Sequence, residues 1–176
     1  MKALKAIGLF FDRVGCEIQR IKYKKLGIFA LIFFILGVFS WIIGGRTDRV
    51  TILYIYPRCA LPLVYSYILW GFSFAFVGVI FYGIMFTCDR YRRNYSSKII
   101  FFLSVMYLFT LCAHPLFFRA LMPFITFLAF LVAIVFCVLA LLSSIKISSL
   151  WTICISINLV WLAYNAFVAL SFSFIN

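Results

Sequence analysis

The segment LGIFALIFFILGVFSWIIGG, residues 26–45, carries no charged side chain and is flanked by Lys25 and Arg46. A helix rises about 1.5 Å per residue, so about 20 apolar residues cross the roughly 30 Å hydrocarbon core of a bilayer. The segment therefore predicts a transmembrane helix. The whole chain has the same character, because 67% of its 176 residues are hydrophobic and 11% are charged. Soluble domains are about 45–50% apolar, so the composition predicts a multi-pass membrane protein.

Four further apolar segments predict transmembrane helices, and they are separated by short polar or basic stretches. These spans cover residues 62–86, 99–114, 121–142 and 150–174. We expect His114-Pro115 to end or kink the third span, because proline removes a helical hydrogen bond. The sequence thus predicts an all-α membrane protein, a five-transmembrane-helix bundle over residues 26–176.

The charge of the chain is strongly basic and unevenly distributed. It has 16 Lys and Arg against 4 Asp and Glu, a formal net charge of +12. Most of the basic residues lie in three segments: the N-terminal segment, the loop near Arg92 and the turn at Lys146. With five spans, these three segments lie on the same side of the membrane. The positive-inside rule then predicts a cytoplasmic N-terminus. Because the basic residues lie between apolar runs, we expect a lipid bilayer and no nucleic acid as the partner of this charge.

Residues 1–25 combine this charge with a helical stripe of apolar side chains. Lys and Arg alternate here with apolar residues at positions 7, 10, 11, 14, 18 and 21. That spacing predicts an N-terminal amphipathic helix lying on an anionic leaflet. We interpret the chain as multi-pass in a membrane, and a bacterial inner membrane is favoured over an organelle membrane.

Few residues of this chain could carry out catalysis. It has one histidine, and three of its four acids, Asp12, Glu17 and Asp89, lie in basic peripheral segments. The sequence lacks paired carboxylates, a P-loop, a nucleophile elbow and metal-binding motifs, and its six cysteines form no C-x-x-C pair. We therefore expect no enzyme, no metal and no cofactor. Proton-coupled antiport is disfavoured as well, because no acid lies within a predicted span.

Several polar and aromatic side chains lie inside the predicted spans. Asn158 and Asn165 share one face of the last helix, with Trp161 between them. This face fits either helix–helix contact or a polar handle in an aromatic ligand pocket. His114 likewise fits either a hydrogen-bonded histidine at a helix end or a ligand contact. Trp41 is expected in the interfacial aromatic belt.

Three short stretches have the spacing of a known family. PRCALP at residues 57–62 precedes Trp70-Gly71, with Phe74 beyond it, and PLFF at 115–118 precedes WLAY at 161–164. These stretches resemble the translocator protein family, the tryptophan-rich sensory proteins also called peripheral benzodiazepine receptors. The family has a K-P-x-W-x-P-P loop, a Trp eight residues later, a W-P-x-F-F end of helix three and W-x-[AS]-[FY] in helix five.

The chain departs from this pattern at several positions. Cys59 stands at the Trp of the loop and Leu61 replaces a proline. Thr110, Leu111 and Ala113 stand where the family has its N-W-x-W run. The chain is therefore identified as a diverged, tryptophan-poor member.

The resemblance implies a binding or transport protein with a pocket between five helices, capped by the loop at 57–62. Its ligand would be planar and apolar, a tetrapyrrole such as porphyrin or a sterol-like lipid. The implied binding residues are Pro62, Trp70, Phe74, His114 at the mouth, Pro115, Phe118, Trp161, Tyr164 and Asn165. The family also suggests a homodimer, and small residues at Gly71, Ala75 and Gly78 could allow close helix contact. Two alternatives are a small transporter or permease of unrecognised fold and a ligand-free accessory subunit.

Overall fold

Five long apolar helices make up most of the described chain, and each is long enough to cross a bilayer. The computed structural model describes residue 12 and residues 14–45, 50, 53–86 and 93–176. The helices are α1 (Tyr23–Gly44), α2 (Leu63–Phe86), α3 (Arg93–Phe118), α4 (Pro123–Ser144) and α5 (Ser149–Ile175). All regular structure in these residues is helical, so the all-α five-helix membrane bundle is confirmed.

The basic segments predicted from the sequence lie partly outside the described residues. This applies to most of residues 1–13, to 46–49 and to 87–92. Residues 14–19 are helical, and Glu17 docks this short helix on the start of α5. Its carboxylate accepts hydrogen bonds from the hydroxyl of Ser148 (2.8 Å) and the backbone N–H of Leu150 (2.9 Å). A carboxylate is favourable at this place because the first N–H groups of a helix have no partner within it.

The helices are neighbours in the cyclic order α1, α2, α5, α4, α3, which returns to α1. The closest packing joins the sequential pairs α1 with α2, α3 with α4, and α4 with α5. The ring closes through contacts of α1 with α3 and of α2 with α5, and some residues of α2 and α3 also meet across it. The outward faces carry exposed Ile, Leu and Phe side chains, as expected for helices that face lipid.

Glycines allow α1 and α2 to approach closely. A Cβ atom at Gly78 would lie 2.6 Å from the backbone oxygen of Phe29, and one at Gly71 would lie 2.8 Å from the ring of Phe34. These two glycines were predicted to permit close helix contact, and they make it with α1 of the same chain. A homodimer contact through them would first have to displace α1.

Helix α3 continues through Pro115 to Phe118, so it does not end at the predicted His114. Pro115 has no N–H to donate to the carbonyl of Leu111, four residues earlier. The hydroxyl of the buried Ser40 on α1 donates to that carbonyl instead, over 2.8 Å. The remaining predicted spans lie within about three residues of the observed helices, because long apolar runs define helix length well.

Candidate functional site

A cavity of about 80 Å³ lies at the end of the bundle where α2 and α4 begin and α3 and α5 end. We call it the aromatic cavity. The segment of residues 53–62, which we call the lid, contributes Tyr56, Ala60 and Leu61 to its wall. This end of the bundle is opposite the 145–148 turn and the docked helix of residues 14–19. Among the described residues that line the cavity, none is charged.

Six of the nine predicted binding residues line the aromatic cavity. They are Trp70, His114, Phe118, Trp161, Tyr164 and Asn165. The other three lie elsewhere. Phe74 packs on Gly37 of α1 and lines a deeper cavity of about 10 Å³, while Pro62 is exposed and Pro115 is part of the α3 helix. Phe74 is one turn of helix further into the bundle than Trp70, which explains its place below the cavity.

Three side chains of the cavity wall have buried polar atoms without a hydrogen-bond partner among the described residues. These are Nε1 of Trp70, Nε1 of Trp161 and both ring nitrogens of His114. Trp70 is 7% exposed and His114 is 4% exposed. Since buried polar groups in folded proteins are almost always hydrogen-bonded, this concentration of unpartnered atoms makes the cavity the candidate site.

His114 lies deeper than predicted. At 4% exposure it is inside the wall of the cavity and not at its mouth. Its ring centroid lies 5.3 Å from that of Trp70 and 4.5 Å from that of Phe118. On its other side the ring packs on Gly44 of α1, where a Cβ atom would overlap Nδ1. Among the described residues, the histidine is thus held by ring and van der Waals contacts without a hydrogen bond.

Hydrogen bonds from α5 and the α3–α4 turn fasten the lid over the cavity. The hydroxyl of Tyr164 accepts from the N–H of Leu61 (3.1 Å) and donates to the carbonyl of Cys59 (3.2 Å). The amide of Asn176 pairs with both backbone groups of Ile55, at 2.7 and 3.2 Å. A third fastening joins the hydroxyl of Tyr54 to the carbonyl of Leu121 over 2.8 Å.

The lid is also braced from within. The hydroxyl of Tyr56 donates to the carbonyl of Leu61, and the hydroxyl of Ser66 donates to the same oxygen over 3.2 Å. Burial raises the pKa of Tyr56, so its hydroxyl stays protonated and remains a donor. The lid therefore keeps a defined shape, although most of its length is loop.

The two amides of the last helix have different environments. Asn165 lines the aromatic cavity and donates to the carbonyl of Trp161 in its own helix over 2.7 Å. Asn158 lies two turns of helix further into the bundle and is buried. Its Nδ2 lies 3.3 Å from Sδ of Met106 and 4.0 Å from Sγ of Cys137. Asn158 therefore contributes to helix packing, and Asn165 faces the candidate site.

Sequence reasoning missed several ring side chains of the wall. They are Tyr56, Tyr67, Phe117, Phe130 and Phe172. A signal was available for two of them, because Tyr67 precedes Trp70 by three residues and Phe172 follows Asn165 by seven. Both spacings place a residue on the same helix face.

The chain was compared with protein-family models, curated proteins and solved structures, and nothing matches. The resemblance to the translocator protein family therefore stays a prediction. It rests on the motif spacing and agrees with the five-helix count.

Proposed function

We propose that this membrane protein binds a planar apolar ligand in the aromatic cavity, in the manner of a translocator protein. The single observation that carries the proposal is that three side chains lining the cavity have indole or imidazole nitrogens without a partner among the described residues. These nitrogens are covered in this structure, so a ligand reaches them only when the cavity wall opens. The surrounding rings offer stacking and apolar burial, and the two indole N–H groups offer donors that orient the ligand. A tetrapyrrole and a sterol-like lipid are the two ligand classes of the proposal.

The size of the cavity makes lid movement part of the proposal. Its volume of about 80 Å³ is smaller than the roughly 150 Å³ of an engineered cavity that holds benzene. Binding sites for drug-sized molecules measure about 300–1,000 Å³. A tetrapyrrole or sterol thus requires the lid to move outward, which breaks the hydrogen bonds that Tyr164, Asn176 and Tyr54 make.

The proposal includes the orientation and setting of the bundle. The N-terminus is assigned to the cytoplasm, so the lid faces the opposite side of the membrane. We assign the chain to a bacterial inner membrane and to binding or transport without catalysis. A homodimer would use the lipid-facing surface of the helix bundle, because α1 already packs against Gly71 and Gly78.

Titration of the purified protein in detergent with protoporphyrin IX, followed by its absorbance, tests the proposal, with cholesterol as a competitor. Trp70→Phe and Trp161→Phe each keep a ring and remove one N–H donor. A hydrogen bond has a net value of about 0.5–1.5 kcal/mol, so each change should raise the dissociation constant about two- to tenfold.

Trp41→Phe is the matched control, because Trp41 is 41% exposed and does not line the cavity. It should leave the affinity unchanged. The proposal fails if neither protoporphyrin IX nor cholesterol binds. It also fails if the Trp70→Phe/Trp161→Phe double variant melts like the native protein and binds with native affinity.

A further inference from the structure

His114 differs from the other unpartnered groups of the cavity in its chemistry. An indole N–H can only donate a hydrogen bond, so Trp70 and Trp161 offer two donors. A neutral imidazole offers one donor on one nitrogen and one acceptor on the other. Neither nitrogen of His114 has a partner among the described residues, and the ring is 4% exposed. Of these three side chains, only His114 can accept a hydrogen bond. Because Nδ1 packs on Gly44 of α1, the accepting atom is Nε2 and the proton lies on Nδ1.

The cavity wall also constrains the charge of its ligand. No charged side chain is present among its described residues, so a buried carboxylate or ammonium group would have no opposite charge beside it. Burial of an unpaired charge is strongly unfavourable. The contacts of His114 with Trp70, Phe118 and Gly44 leave its ring little freedom to turn away.

We infer that the part of the ligand inside the cavity is a neutral head group with a hydrogen-bond donor beside an acceptor, that any carboxylate of the ligand stays outside the cavity, and that His114 accepts from the donor. Primary amides, lactams and hydroxyl groups have this property, whereas esters and ketones do not. The donors of Trp70 and Trp161 then serve the acceptor of the head group. This inference rests on the proposed function and deepens it by specifying the polar end of the ligand.

Three probes of nearly equal shape separate these interactions. Benzamide has a donor and an acceptor, acetophenone has an acceptor only, and cumene has neither. Their dissociation constants are measured by calorimetry on the full chain in detergent, against matched empty micelles. The ratio of benzamide to acetophenone affinity reports on the acceptor of His114. The ratio of acetophenone to cumene affinity reports on the indole N–H donors of Trp70 and Trp161.

His114→Leu should reduce the benzamide preference over acetophenone about three- to tenfold, the worth of one hydrogen bond. The preference of acetophenone over cumene should change much less, because both indoles are intact. His114→Gln should restore the benzamide preference, because glutamine also has a donor and an acceptor.

The inference is overturned if native protein and His114→Leu show the same benzamide-to-acetophenone ratio, or if His114→Gln behaves like His114→Leu. Binding of cumene and acetophenone in that case would leave the proposed cavity function intact. If none of the three probes binds the native protein although protoporphyrin IX or cholesterol does, the head-group inference fails and cavity binding stands. If none of the five compounds binds, both fail.

Discussion

Ser40 on α1 donates a hydrogen bond to the carbonyl oxygen of Leu111 on α3, and this is the carbonyl that Pro115 cannot serve. Within a bilayer no water is available to satisfy a freed backbone group. The serine therefore allows α3 to continue for one more turn beyond His114 instead of ending there. That turn carries Phe117 and Phe118 into the cavity wall. A proline inside a span is thus tolerated because a neighbouring helix supplies the missing donor.

Replacement of Ser40 should destabilise the junction of α1 and α3. Ser40→Ala leaves a buried carbonyl at Leu111 unpaired, which costs about 1–3 kcal/mol. In a Pro115→Ala background the new N–H can serve Leu111, so the same serine change should cost less. Thermal unfolding in detergent of the two single variants and the double variant measures this coupling.

Ser104→Ala is the control for that cycle, because Ser104 is exposed and its hydroxyl donates within its own helix, to the carbonyl of Ile100. Its melting temperature should stay close to the native value. Strictly additive effects of Ser40→Ala and Pro115→Ala would contradict the assigned role of the serine.

A side chain at Gly44 should displace the imidazole of His114. A Cβ atom there overlaps Nδ1, and overpacking of this kind costs about 1–3 kcal/mol. The chain has one histidine, so its imidazole signals can be followed by NMR once any purification tag is removed. Gly44→Ala should shift these signals and lower stability. Gly27→Ala, on the same helix with nothing within 4 Å, should do neither.

Loss of the Tyr164 hydroxyl should loosen the lid. Tyr164→Phe keeps the ring and removes the bonds to Leu61 and Cys59, whose combined net value is about 1–3 kcal/mol. Hydrogen exchange in the lid should then accelerate at least about fivefold. Tyr65→Phe serves as the control, because Tyr65 is exposed on the surface of α2. Unchanged exchange in Tyr164→Phe would show that this hydroxyl does not fasten the lid.

Glu17 should be needed for the ordered start of α5. Glu17→Ala removes the acceptor of Leu150 and Ser148, and loss of such a cap costs about 0.5–2 kcal/mol. We expect the amide of Leu150 to exchange about fivefold faster, and residues 14–19 to become more sensitive to protease. Gln19→Ala, an exposed change in the same segment, should leave both measurements at native values. If the amide of Leu150 exchanged at the same rate in Glu17→Ala and Gln19→Ala, Glu17 would not be the cap of α5.

The helices could be predicted from the sequence because each depends on a local property of the chain. Long apolar runs flanked by charge locate α1, α2, α4 and α5 to within a few residues. The extent of α3 could not be predicted, because it depends on the contact between Ser40 and Leu111, which are far apart in the sequence. The close approach of α1 to α2 also depends on which residues face the glycines, and hydropathy carries no such information.

The candidate site was partly predictable for a similar reason. Residues at helical spacing near the loop, such as Trp161 and Tyr164, line the cavity as expected. Phe74 was misplaced because a family motif gives position along a helix but not depth in the bundle. Asn176 was missed altogether, because its pairing with Ile55 joins two segments that share no sequence pattern.

The fastenings of the lid have a consequence for biogenesis. A ribosome releases the lid segment early, soon after α1, whereas Tyr164 and Asn176 belong to the final stretch of this sequence and Leu121 to the turn before α4. Until α5 is in the bilayer, the N–H and carbonyl of Ile55, the carbonyl of Cys59 and the N–H of Leu61 lack the partners that Asn176 and Tyr164 supply. The contact between α2 and α5 therefore forms only after α5 has been inserted, and the aromatic cavity is complete only from then on.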